Sequence, residues 1–114
     1  MELKQALISV REKNKDERKK ISSFVLADKD THGGLNFEED IREYWVINGS
    51  WIVSTFKEQT IQPDFGPTIT KRLDESSSTF DEDGVLNFIS QGSIRVEELS
   101  DFLSGINKEL AGVN

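Results

Sequence analysis

Apolar residues recur at the spacing of one helix face near both ends of the chain. Leu3, Leu7 and Val10 are three and four residues apart, which predicts a helix over the first part of the sequence. A second helix is predicted near the end, where apolar positions keep a three–four rhythm: Val96, Leu99, Leu103, Ile106 and Leu110. Gly105 interrupts that helix at a cost of about 1 kcal/mol relative to Ala. Two interpretations are open: Gly105 permits close packing, or it is simply tolerated.

The clearest signal for β structure lies in residues 41–57. The runs IREYWVI and WIVSTFK are rich in β-branched and aromatic residues, and Asn48-Gly49 separates them. Both central residues of a type I′ turn need positive φ, which Asn and Gly tolerate, so the pair predicts a hairpin. A two-residue loop pairs Ile47 with Ser50, and it continues through the pairs Val46–Trp51, Trp45–Ile52 and Tyr44–Val53. Both faces of the ribbon are then apolar near the turn.

Three further segments have the composition of strands. Lys20–Ala27, with the sequence KISSFVLA, predicts one strand, and Thr68–Arg72, with the sequence TITKR, predicts another. Ser78–Phe80 and Val85–Ile89 predict a second hairpin, with Asp83-Gly84 as its turn.

These elements predict an α+β fold in a single domain, since 114 residues is the length of one ordinary domain. The N-terminal and C-terminal helices pack on one face of a small antiparallel sheet of about four to six short strands, with the 41–57 hairpin at its centre. A mostly helical alternative stays open if residues 36–47 form a helix, because Phe37, Ile41, Tyr44 and Val46 also fit helical spacing.

The amino-acid composition excludes several kinds of functional site. The sequence has no Cys and one His, His32, so thiolate metal sites, disulfides and cysteine nucleophiles are excluded. No motif predicts a cofactor or a catalytic constellation, so we expect a non-enzymatic protein. No apolar run approaches the roughly 20 residues of a membrane span. The first residues lack the apolar stretch of a secretory signal, so we expect a cytoplasmic protein without membrane contact.

The charge is unevenly distributed along the chain. The net charge is −7, from 14 basic and 21 acidic residues. Residues 1–20 carry seven bases and four acids, a net of +3, which leaves −10 for the remainder. Phosphate neutralisation needs a basic surface, so general nucleic-acid binding is not expected. The acidic remainder of the chain instead suits a basic partner protein, because complementary electrostatic fields accelerate association.

Residues 24–39, FVLADKDTHGGLNFEE, space oxygen-bearing side chains around a glycine. When Asp28 is counted as position 1, the oxygen ligands fall at positions 1, 3, 9 and 12: Asp28, Asp30, Asn36 and Glu39. This segment resembles a calcium-binding EF-hand loop, and the resemblance implies a helix on either side and calcium as the ligand. It departs from the pattern at position 5, where His32 offers nitrogen rather than oxygen. The other interpretation is an ordinary polar turn with an exposed histidine.

Two groups of residues are candidates for partner binding. The hairpin holds both tryptophans and the only tyrosine, namely Tyr44, Trp45 and Trp51. Trp and Tyr are enriched in interface hot spots, but they also fill cores, and both placements are open. The second group is acidic and lies in the last third of the chain: Asp74, Glu75, Asp81, Glu82 and Asp83.

These features together predict an acidic binding protein of the inhibitor or immunity type. It would neutralise a basic partner, such as a nuclease toxin, by occluding the partner's basic cleft. A homodimer is also compatible with the sequence. Two alternatives remain: a calcium-binding protein that uses the 28–39 loop, and a small ligand-binding or enzymatic α+β domain.

Overall fold

The described part of the chain folds into four strands and three helices. A computed structural model of the protein describes residues 2–31, 36–92 and 94–112. The strands form one antiparallel sheet in the order β1-β2-β3-β4, which confirms the predicted α+β class. The elements follow one another along the chain as α1 (Leu3–Lys13), β1 (Arg18–Thr31), β2 (Asn36–Ile47), β3 (Ser50–Ile61), β4 (Ile69–Phe80), α2 (Glu82–Ser90) and α3 (Val96–Leu110).

The central hairpin has the register that its turn predicts. Asn48 and Gly49 both have positive φ, 49° and 79°, as a type I′ turn requires. Ile47 pairs with Ser50, and the ladder continues through Val46–Trp51, Trp45–Ile52 and Tyr44–Val53. Because opposite residues share a face, the turn alone decides which side chains point to each side of the sheet.

All three helices pack on one face of this sheet. The core on that face combines apolar residues of α1, α2 and α3 with alternate residues of the strands: Ala6, Leu7, Val10, Ile21, Tyr44, Val46, Trp51, Val53, Val85, Phe102 and Ile106. Two aromatic contacts organise its centre. The ring of Phe102 lies 4.7 Å from that of Tyr44 and 5.9 Å from that of Trp51. The predicted stripe of α1 faces this core with Leu7 and Val10. The predicted stripe of α3 is offset from its buried side: Phe102 and Ile106 lie in the core, whereas Val96 and Leu110 are 80% and 37% exposed.

Gly105 lies where α3 crosses β1. A Cβ atom at this position would lie 2.2 Å from the carbonyl oxygen of Ile21. No real Cβ approaches a backbone oxygen so closely, so only glycine allows this helix-to-strand distance. Ile21 itself is an extra residue at a register shift between Lys20 and Ser22, and it is buried beneath α3.

The segment after β4 is a helix, and the predicted second hairpin is wrong. Val85–Ile89 belongs to α2, and Ser78–Phe80 is the end of β4, which also includes most of the predicted TITKR strand. Asp81 is the N-cap of α2, and its Oδ1 accepts a hydrogen bond from the Gly84 backbone N–H at 2.7 Å. The Asp-Glu-Asp-Gly run is therefore a helix start with acids in its first turn, rather than a hairpin turn.

The segment that resembles an EF-hand loop is flanked by strands. Residues 24–31 are the second half of β1, and β2 begins at Asn36 and pairs with it. The two helices that the resemblance implies are therefore absent from the described residues around this loop. The candidate positions His32 and Gly33 lie outside the described residues.

The sheet is longer than the helical layer that covers it. The longest dimension of the molecule is 51 Å. Helix-side residues in the distal half of the sheet, including Ala27, Asp40, Lys71 and Leu73, are exposed, whereas those near the Asn48 turn are buried. The described residues include no helix long and apolar enough to span a membrane.

Candidate functional site

The face of the sheet opposite the helices is a candidate binding surface. We call it the uncovered face and define it by the alternate strand residues Ile41, Glu43, Trp45, Ile52 and Phe56. Among the described residues, no helix packs on this side. Ile41, Glu43 and Phe56 are buried, with exposed fractions of 8%, 5% and 4%. The accessible part of this face is therefore formed by Trp45 and Ile52, which are partly exposed, and by Val25, which pairs with Ile41 and is 41% exposed.

Glu43 is the buried acid at the centre of the uncovered face. Its side chain is 6% exposed, and it has three neighbours that carry positive charge or donate a hydrogen bond. The Nζ of Lys20 lies 3.6 Å from Oε2, and the Nη2 of Arg72 lies 3.9 Å from Oε1. The indole Nε1–H of Trp45 donates to Oε1 at 3.1 Å. These contacts compensate the carboxylate for lost water and fix the position of the Trp45 ring.

Two guanidinium groups lie over aromatic rings on this face. Arg18 lies 4.6 Å from the centroid of the Trp45 ring, and Arg72 lies 4.0 Å from that of Phe56. Both distances are within the range of cation–π attraction. The arginines remain exposed, so the face presents the Trp45 ring, the Ile52 side chain and positive charge together. Tryptophan and arginine are the residue types most enriched in interface hot spots.

The three aromatic candidates from the hairpin are divided between the two faces. Tyr44 and Trp51 have no exposed surface and lie in the core, so they offer no contact to a partner in this structure. The indole Nε1–H of Trp51 donates to the Leu7 carbonyl oxygen at 3.2 Å, which ties β3 to α1. Of the three, Trp45 alone has accessible surface, because its odd position in β2 points it away from the helices.

The five acidic candidates lie along β4 and the first turn of α2. Asp74, Glu75 and Asp81 are exposed, and Asp74 has a positive φ of 55° at a register shift in the edge strand. Glu82 is partly buried and pairs with Arg11 at 2.9 Å, and Asp83 pairs with Lys4 at 3.0 Å. The hydrogen bond and charge of Asp83 raise the pKa of Lys4 above 10.5. Part of the acidic charge is therefore neutralised within the protein by α1.

A buried ionic cluster on the helix side was not predicted from the sequence. Glu98 of α3 is 1% exposed. The Nη1 of Arg42 donates to both of its carboxylate oxygens, at 3.0 and 2.9 Å, and the hydroxyl of Tyr44 donates to Oε2 at 2.6 Å. Burial, followed by the hydrogen bond to Glu98, raises the pKa of Tyr44 well above its usual value of 10. The available signal was the position of Arg42, which shares a strand face with Tyr44 and Val46.

A small cleft opens beside this cluster. Its volume is about 90 Å³, and it lies between the last part of β4, the centre of β3 and α2. Its lining combines one guanidinium, three hydroxyls and two phenyl rings: Arg42, Thr55, Ser76, Ser78, Phe80 and Phe88, with Val53 at its base.

A second buried acid, Glu109, joins the first helix to the last. Its Oε1 accepts a hydrogen bond from the Asn14 side chain at 3.0 Å, and the same Asn14 amide donates to the Val10 carbonyl at 2.8 Å. The Nζ of Lys13 donates to the Glu109 carbonyl oxygen. Asn14 ends α1 and is 2% exposed, so this contact is structural.

The candidate calcium ligands are arranged along a β ladder. Asp28 pairs with Glu39, Asp30 with Phe37, and Asn36 with Thr31. Asp28 also lines a cleft of about 350 Å³, in which two further acids, Glu38 and Asp40, lie with two lysines, Lys29 and Lys57. Within the described ranges, no group of three or more His, Cys, Asp or Glu residues is placed to hold a metal ion.

No protein-family model matches the chain, and comparisons with curated proteins and with solved structures found no match either. The functional proposals therefore depend on the geometry of the described surfaces.

Proposed function

We propose that the protein is a non-enzymatic, inhibitor-type binding domain whose protein partner docks on the uncovered face around Trp45. The observation that most supports this is the position of Trp45: Arg18 stacks over its ring, and Glu43 accepts a hydrogen bond from its indole N–H. Ion pairs and stacking hold these side chains in place before any partner binds. A preorganised aromatic anchor loses little side-chain entropy on association.

The charges on the uncovered face indicate the chemistry of the partner. Arg18, Lys20 and Arg72 lie around the buried Glu43, and Arg72 also pairs with the exposed Glu75 at 3.4 Å, so three cations face two carboxylates in this part of a −7 protein. We propose a partner segment that presents an apolar side chain flanked by carboxylates. The apolar group would contact Trp45 and Ile52, and the carboxylates would meet the surrounding cations. This surface therefore suits an acidic segment, whereas the net charge alone suggested a basic partner.

A second candidate surface follows β4 into α2 and suits the basic partner expected from the sequence. Asp74, Glu75 and Asp81 are exposed along it, which supports binding of a basic protein such as a nuclease toxin by occlusion. Internal pairing of Glu82 and Asp83 with α1 reduces the charge available there. The uncovered face is therefore our first candidate.

Selection from a phage-displayed random peptide library on the immobilised protein distinguishes the two surfaces. We expect enriched peptides in which Asp or Glu flanks an aromatic or aliphatic residue. Replacement Trp45→Ala or Arg18→Gln should weaken binding of these peptides about tenfold, as truncation of a hot spot does. Because charge pairs contribute, binding should also weaken as the salt concentration rises.

Arg95→Gln is the matched control, since Arg95 is an exposed arginine at the start of α3, far along the chain from the uncovered face. Each variant is first checked for an unchanged thermal melting curve. Enrichment of basic peptides whose binding weakens in Asp74→Asn and Asp81→Asn would contradict docking on the uncovered face. It would support the second surface, along β4 and α2. Absence of any enriched sequence, or equal loss in Arg18→Gln and Arg95→Gln, would contradict both surfaces.

A further inference from the structure

The cleft beside Arg42, here called the Arg42 cleft, has no role in either proposed binding surface. It lies on the helix side of the sheet, whereas Trp45 is on the opposite side. Its volume of about 90 Å³ is roughly that of three water molecules at about 30 Å³ each. A cleft of this size accommodates one small functional group rather than a whole metabolite.

Arg42 presents unused hydrogen-bond donors to this site. Glu98 occupies only Nη1, so Nε and Nη2 have no hydrogen-bond partner among the described residues. These two nitrogens form one edge of the planar guanidinium, and that edge matches the two oxygens of a carboxylate. Phe88 packs 5.1 Å from the guanidinium carbon and, with Glu98, fixes the orientation of the group.

Hydroxyl groups provide further donors around the same space. Thr55, Ser76 and Ser78 line the cleft from the helix-facing side of β3 and β4. Their side chains make no hydrogen bond to other described residues. Phe80 and Phe88 form aromatic walls, with ring centroids 5.8 Å apart.

We propose that the Arg42 cleft binds a carboxylate group. The free guanidinium edge takes the two oxygens, the hydroxyls donate from the sides, and the phenyl rings contact the carbon attached to the carboxylate. Glu98 already balances the charge of Arg42, so the bound carboxylate gains hydrogen bonds more than net charge attraction. We therefore expect a free small carboxylate to bind with a Kd of about 1 mM, a binding free energy of about −4 kcal/mol. The carboxylate has two sources, a free small acid or the end of a peptide chain lying along β4.

The test uses the full ¹⁵N-labelled protein and sodium propionate as the probe. We expect saturable chemical-shift changes at the Arg42 Nε–H and at the backbone amides of Ser76 and Ser78. Propionamide has the same shape without the charge, and it should bind at least tenfold more weakly. A peptide with a free C-terminal carboxylate is compared with its C-terminal amide. Tighter binding of the free-acid peptide than of propionate identifies a peptide as the source, and equal affinity identifies a free acid.

Thr55→Val removes one hydroxyl without touching the Arg42–Glu98 pair, and it should weaken propionate binding about fivefold, the effect of one lost hydrogen bond. Thr79→Val is the matched control, because Thr79 lies on the same pair of strands but pairs with Ile52 on the uncovered face. It should leave propionate affinity unchanged. Shifts that never saturate, equal binding of propionamide, or equal effects of the two threonine variants would each overturn the proposal.

Discussion

Single residues with buried charge connect the helices to the sheet and to one another in this fold. Glu98 connects α3 to β2 through Arg42 and Tyr44, and Glu109 connects α3 to α1 through Asn14. Neither glutamate could be recognised from the sequence, because both lie on a helix whose other acids are exposed. Periodicity identifies the buried stripe of a helix from its apolar residues, so an acid within that stripe looks like an ordinary surface charge.

The raised pKa of Tyr44 predicts a loss of stability in alkali. Tyr44 stays protonated in the folded protein, while in the unfolded chain it ionises near pH 10. Below that pH the hydroxyl is protonated in both states, so its ionisation does not change the free energy of unfolding. Above it, the unfolded state gains a charge that the folded state resists, so stability should fall by about 1.4 kcal/mol per pH unit.

Urea unfolding on either side of pH 10 measures this slope. The chain has one tyrosine, so phenolate absorbance should appear together with unfolding rather than before it. Tyr44→Phe is the control. This variant loses the hydrogen bond to Glu98 and some stability, and its free energy of unfolding should fall less steeply with pH above 10, because it has no phenol to ionise. If both proteins have the same slope, the pKa of Tyr44 is not raised.

Gly105→Ala tests whether the glycine is needed for close packing. Ala improves helix propensity by about 1 kcal/mol, but its Cβ would meet the Ile21 carbonyl oxygen at 2.2 Å. Because that oxygen is backbone and cannot rotate away, we expect a net loss of about 1–3 kcal/mol, as for an overpacked core. Ser104→Ala, at an exposed neighbour on the same helix, should be neutral or slightly stabilising. Equal denaturation midpoints for Gly105→Ala and the wild type would contradict the close approach.

At the scale of elements, local chemistry predicted some parts well and others wrongly. The Asn48-Gly49 turn predicts the register of the hairpin. Both residues accept positive φ, and a two-residue loop places Ile47 opposite Ser50. The Asp83-Gly84 pair has a similar composition but lies in the first turn of α2. The residues after each glycine distinguish the two cases. Val85 and Phe88 are three residues apart and lie on one side of a helix, whereas apolar residues of a half-buried strand would occur at every second position.

Strand β4 was difficult to predict for a related reason. It is an edge strand with nearly all of its residues exposed, so it has no apolar alternation to reveal it. Asp74, with positive φ, interrupts its ladder, and charged side chains accompany it, as edge strands commonly require to avoid pairing with other chains.

The cap of α2 can be tested directly. Asp81→Ala removes the hydrogen bond to the Gly84 N–H, and we expect a loss of about 1 kcal/mol in the free energy of unfolding. Asp83→Ala removes only an exposed ion pair with Lys4, which contributes at most about 0.5 kcal/mol. Chemical denaturation of both variants compares the two acids. Equal losses would mean that Asp81 acts as a surface charge rather than as a cap.

At the scale of the molecule, the helices cover only part of a long sheet. The half near the Asn48 turn holds the core, whereas the distal half has exposed side chains towards the helix side. Fold class, helix placement and the central hairpin could be predicted from the sequence, because each depends on local pattern. The position of the helices along the sheet could not, because it is decided by contacts between residues far apart in sequence.

Native-state hydrogen exchange should reveal this division within single strands. Amides near Tyr44 and Val53 should exchange only through global unfolding, since they lie under the helices. Amides near Glu38 and Gln59, farther from the turn in the same two strands, should exchange through local openings of lower free energy, because no buried residue lies beside them in β2 or β3. Uniform protection along β2 and β3 would contradict this view of the sheet.

The connectivity of the sheet also has a consequence for folding kinetics. Every strand pairs with its neighbour in sequence, so the sheet forms through short loops, while the Asn14–Glu109 contact joins residues 95 positions apart. Closing that long loop costs chain conformational entropy, and contacts between residues close in sequence form first. We therefore expect the central hairpin to form the folding nucleus and the contact between α1 and α3 to form late. Substitutions at the Asn48 turn should slow refolding, whereas substitutions in α1 should mainly accelerate unfolding.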